Sequence, residues 1–66
     1  MTFHVKYKMF DGTVGSVDVS ARSREEAEDK AIYDIVLSKE GKMPYDAWAT
    51  SVTYQNGNYK QFIKEQ

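Results

Sequence analysis

Val17-Asp18-Val19-Ser20-Ala21-Arg22-Ser23-Arg24-Glu25-Glu26-Ala27 changes its periodicity halfway along, and the fold follows from that change. Val17, Val19 and Ala21 alternate with polar neighbours, which is the period of a half-buried strand. Ser23-Arg24-Glu25-Glu26 then forms a capping box, with Ser23 as N-cap and Glu26 at the third helical position. Beyond it, Ala27, Ala31 and Ile35 recur at helical spacing, flanked by Ile32 and Val36. Acidic residues crowd the first turns, where the helix dipole favours them. Gly41 suits the position just past a helix and Lys39 its last turn, so a helix is predicted over 24–40. The alanine stripe lets that helix sit close to a sheet.

Upstream, Phe3, Val5, Tyr7 and Met9 alternate with Thr2, His4, Lys6 and Lys8, a second strand of the same kind. Asp11-Gly12 marks the turn between the two. Parity selects its length. A two-residue loop would set Val5 opposite Asp18, mixing the buried and solvated faces. A three-residue loop of Phe10, Asp11 and Gly12 pairs Val5 with Val17, Phe3 with Val19, His4 with Asp18 and Lys6 with Ser16. Downstream of the helix, Pro44 halts helical continuation, and Met43, Tyr45 and Trp48 make an apolar loop of residues 42–49. Thr50–Gln55 and Tyr59–Lys64 read as a second hairpin around Asn56-Gly57. A two-residue turn there pairs Tyr54 with Tyr59, Val52 with Gln61 and Thr50 with Ile63. It turns Phe62 outward with Lys60 and Lys64, whereas a three-residue loop would turn Phe62 inward. The predicted class is α+β, in the order ββαββ. A four-stranded antiparallel sheet in the order 2-1-3-4 carries one helix on one face and leaves the other open.

The chain has 66 residues, no cysteine and one histidine. That is one domain, 1–66, with no disulfide framework, no thiolate site and no multi-histidine metal centre. No apolar run approaches the ~20 residues of a membrane span. Strand-like alternation begins at once after Met1, so neither a leader nor a membrane partner is expected and a cytoplasmic location is. For a chain this small, burial and ordering entropy nearly cancel, so a partner or a homodimer can matter to stability. The formal net charge of −1 hides a segregation. Between residues 23 and 41, Arg24, Lys30 and Lys39 face Glu25, Glu26, Glu28, Asp29, Asp34 and Glu40, while both flanks are mildly basic.

No nucleophile–base pair, phosphate loop or cofactor motif emerges, so neither a catalytic residue nor a cofactor is expected. His4 beside Asp18 has the makings of an oriented base, but an ordinary polar cross-strand pair accounts for it. The acidic side chains of one helix do not by themselves converge on a hard metal, and no metal site is expected. Two surfaces remain. One joins Glu25, Glu26, Glu28, Asp29, Tyr33, Asp34 and Leu37 of the helix with Tyr45 and Trp48 of the following loop, a set suited to binding another protein. The other is the open sheet face, where His4, Lys6, Lys8, Lys60, Phe62 and Lys64 suit single-stranded nucleic acid. The near-neutral charge argues against the second, because nucleic-acid-binding domains are usually basic.

The strand running into a capped helix from Val17 to Ala27, placed between two hairpins in a short cysteine-free chain, resembles small phage- or mobile-element-encoded proteins, among them anti-CRISPR inhibitors. The resemblance lies in the layout. It implies a non-enzymatic binder that occupies the surface of a host enzyme or nucleic-acid-handling complex. The expectation from sequence is therefore a protein-binding module, with a weak single-stranded nucleic-acid binder as the alternative.

Overall fold

A computed structural model describes residues 1–62. The sheet is antiparallel and four-stranded in the order β2-β1-β3-β4, built from β1 (Thr2–Lys8), β2 (Val14–Ser20), β3 (Asp46–Thr53) and β4 (Tyr59–Gln61). Helix α1 (Arg24–Asp34) crosses one face and ends in a π-helical turn, Ile35–Lys39. The α+β layout and strand order match the sequence prediction.

The first hairpin has the predicted register. His4 faces Asp18, Val5 faces Val17 and Lys6 faces Ser16. Its loop closes through Met9 N–H to the Thr13 carbonyl at 2.7 Å, and Gly12 takes the positive φ of +92° that a side chain would resist. Phe3, Val5, Tyr7, Met9 and Val17 thereby point into one layer, where Ala27, Ala31 and Ile35 of the helix meet them. The two alanines are fully buried, and their small size sets the close helix–sheet approach. Ser23 Oγ accepts the Glu26 N–H at 3.1 Å. The Glu26 carboxylate reaches back to the Arg22 N–H at 3.4 Å, one residue short of the N-cap itself.

Three details depart from the sequence reading. The helix predicted over 24–40 is α-helical only to Asp34. Its last turn widens, and the Ile35 carbonyl accepts the Glu40 N–H at 2.8 Å. The predicted loop 42–49 already contains strand, because β3 begins at Asp46 and alternates buried Ala49 with Trp48 on the opposite face. The second hairpin takes the longer loop: Val52 faces Lys60 and Thr53 faces Tyr59, and Gly57 has a φ of +90°. Phe62 therefore turns toward the helix and not outward. It stacks on Phe3 with ring centroids 6.3 Å apart, and the Arg24 guanidinium lies 4.4 Å over its ring. Lys60 shares that side with Val52, since cross-strand partners share a face. Ile63 and Lys64, assigned from sequence to the second hairpin, lie outside the described residues.

Candidate functional site

The helix presents one exposed line at i, i+4 spacing: Glu25, Asp29, Tyr33 and Leu37. It starts acidic and ends apolar. The remaining acidic residues of the predicted set are differently employed. Glu28 is half-buried and its Oε2 accepts the Ala49 N–H at 2.9 Å. That contact has a structural cause. The β1–β3 register shifts between His4 and Val5, so no residue of β1 stands opposite Thr50 of β3. The bulge frees backbone groups, which side chains then satisfy: Glu28 takes the Ala49 N–H, and Thr50 Oγ1 donates to the His4 carbonyl at 3.1 Å. Glu26 is held by the Arg22 N–H and by Lys30 at 3.4 Å. These contacts, the backbone bond first, keep its carboxyl below the usual glutamate range. Asp34 is half-buried at the end of α1.

The helix finishes at one end of the molecule. The first hairpin's turn and the start of β3 meet there, since the Tyr45 N–H donates to the Lys8 carbonyl at 2.7 Å. The helix arrives at the same end, where Tyr7 Oη donates to Glu40 Oε2 at 2.7 Å. Phe10 and Tyr45 pack edge-to-face at 5.3 Å yet remain 76% and 65% exposed. With Met43, Leu37 and Tyr33, they account for five of the eight large apolar side chains exposed among the described residues. Phe10 belongs to this end but escaped the sequence assignment. Phe10 lay hidden in a turn, and its neighbourhood to Tyr45 depends on the β1–β3 pairing.

Trp48 is placed apart from this set. It faces Lys6 on the sheet face opposite the helix, half-buried. That face carries His4, Lys6 and Lys8 as expected, while Lys60 and Phe62 lie on the helix side. Tyr59 joins it by register with Thr53. Two shallow depressions mark the face. One, about 380 Å³, is lined by Lys6, Val14, Ser16 and Trp48. The other, about 340 Å³, is lined by His4, Asp18, Ser51 and Tyr59. His4 Nδ1 lies 2.6 Å from Asp18 Oδ1, with the two side chains 40% and 66% exposed, a solvated pair as anticipated. The chain matches no protein-family model, no curated protein and no solved structure.

Proposed function

We propose that this protein is a non-catalytic binding module that captures another protein through the exposed helix line and the apolar end beside it. The observation that carries this reading is an exposed helix line of Glu25, Asp29, Tyr33 and Leu37 that finishes at the end of the sheet where the exposed rings of Phe10 and Tyr45 pack together. Monomeric proteins rarely leave so many large apolar side chains together in water, and aromatic and Met side chains are favoured in interface centres. An acidic rim beside such a patch suits a basic partner surface, steering association and fixing orientation. A nucleic-acid-binding surface of a host complex has that chemistry. The layout resemblance to small phage-encoded inhibitors, including anti-CRISPR proteins, agrees with it, as does a cytoplasmic site of action.

The test is capture from a host lysate, followed by binding measurements on the captured partner. Glu25→Lys with Asp29→Lys weakens capture and flattens its salt dependence, while Tyr33→Ala with Leu37→Ala weakens it at every salt concentration. Glu28 and Glu26 stay unchanged, because their carboxylates hold the fold. Capture unaltered in both folded double variants would refute this surface.

A second reading rests on Trp48 and Tyr59 beside Lys6 and His4 on the open face. Aromatic platforms among cations bind single-stranded nucleic acid by stacking and charge. It requires a salt-dependent anisotropy rise of a labelled oligonucleotide that Trp48→Ala and Lys6→Ala each diminish. An oligonucleotide that stays free at low salt eliminates it.

A further inference from the structure

The two edges of the sheet are unlike. β4 is three residues long and carries Lys60, the usual devices that keep an edge from pairing. β2 is seven residues long, keeps an unbroken register with β1, and contains no lysine, arginine or proline. Its outward backbone groups follow from the ladder. Met9 N–H to Thr13 and Ala21 N–H to Met1 identify the odd-numbered residues of β2 as those bonded to β1. The even residues, Val14, Ser16, Asp18 and Ser20, therefore direct N–H and C=O away from the sheet. The Ser20 carbonyl is met by Lys30 Nζ at 2.9 Å, which confirms the alternation and closes that end of the edge. Val14, Ser16 and Asp18 are left with a continuous row of donors and acceptors, and Val14 is 70% exposed.

We propose that β2 pairs with β2 of a second copy, antiparallel about a two-fold axis, making one eight-stranded sheet. A strand that offers alternate N–H and C=O groups is complementary to its own antiparallel image, so one surface supplies both sides. Charge agrees with this occupant. With the Ser20 carbonyl taken by Lys30, the three free outward residues all pair when Ser16 lies opposite Ser16 of the second copy. Asp18 of the second copy then lies opposite Val14, whose β1 neighbour is Lys8. Each Asp18, which pairs with His4 of its own chain, thereby also enters a cross-sheet row with a lysine of the other copy, and no like charges face directly. The helix line and the apolar end play no part in this contact, so it stands or falls separately from the proposed partner capture.

The experiment is sedimentation equilibrium of the full chain with amide hydrogen exchange by NMR, at about 10 μM and about 1 mM, a range spanning weak self-association. The expected result is a doubling of mass with concentration. The Val14, Ser16 and Asp18 amides then exchange at least about tenfold more slowly in the concentrated sample, while Gly15, Val17 and Val19, bonded to β1, are protected in both. Ser16→Pro removes an outward N–H without touching the β1 ladder, so it yields a folded monomer at both concentrations. A monomer throughout, a dimer whose Val14, Ser16 and Asp18 amides still exchange fast, or protection of these amides only on adding a different protein would each overturn the proposal. The exchange pattern of the unaltered chain decides even where Ser16→Pro fails to fold.

Discussion

Gly15 gives up a side chain where Tyr7 takes the space. A Cβ there would sit 2.5 Å from Tyr7 Oη and 2.6 Å from the ring carbon that bears it. The ring cannot step aside freely, because its hydroxyl donates to Glu40 at 2.7 Å and so links β1 to the end of the helix. Gly15→Ala therefore loses more than about 1 kcal/mol, the scale of overpacking a fitted site. Tyr7→Phe loses about 0.5–1.5 kcal/mol, the worth of a hydrogen bond. The two couple: an alanine at 15 already displaces the hydroxyl, so Tyr7→Phe costs less in that background. Chemical denaturation of the four proteins in the cycle measures this, and strict additivity contradicts the contact. The Glu40 hydrogen bond first, then burial, then the Glu40 charge raise the Tyr7 phenol above its ordinary value. The folded state thus holds that proton more tightly than the unfolded chain. The resulting stability is complete below the ordinary tyrosine range of about 10 and is lost as pH rises beyond it. The alkaline fall in melting temperature is correspondingly shallower in Tyr7→Phe.

Each element was legible in proportion to how local its determinants are. Ser23→Ala should cost about 0.5–2 kcal/mol, because it removes the acceptor for the Glu26 N–H from a helix of eleven residues. The Glu26 carboxyl lies below its usual range, so its help to the helix start is present above that range and fades as pH falls through the lowered value. A pH titration of helix signal shows this as a retreat of the acid midpoint in Glu26→Gln. Capping, the strand-to-helix switch and the first hairpin's parity all read from neighbouring residues, and the structure has them. The second hairpin was ambiguous because its outcome depends on Phe62 meeting Phe3 and Arg24, residues far away in the chain. The Glu28 bond to Ala49 was invisible for the same reason, since nothing local announces the bulge at Thr50. Glu28→Ala leaves that partly buried N–H unpaired. It should destabilise the fold by about 1–3 kcal/mol, measured by urea unfolding, where an exposed acidic side chain such as Glu25 should cost under about 0.5.

At the scale of the molecule, one sheet separates two surfaces that the sequence had partly merged. The apolar loop of Met43, Tyr45 and Trp48 read as one patch because its residues are close in sequence. Once β3 starts at Asp46, alternation sends Trp48 to the far face while Tyr45 stays at the helix end. The candidate surface was therefore half legible: the helix line followed from helical spacing, but its neighbours across the sheet required the pairing. This separation supplies a native probe, since Trp48 is the chain's single tryptophan. A protein bound along Glu25, Asp29, Tyr33 and Leu37 covers the opposite side and leaves the tryptophan environment as it is in the free protein. An oligonucleotide stacked on the open face contacts the indole directly and quenches it. With a partner free of tryptophan, or with its tryptophans replaced, the emission maximum and acrylamide quenching of Trp48 remain within error of the free protein at saturation. The Tyr33→Ala, Leu37→Ala variant loses that binding with the same Trp48 spectrum. A blue shift with loss of acrylamide access on partner binding would place the contact on the open sheet face and reject the helix surface.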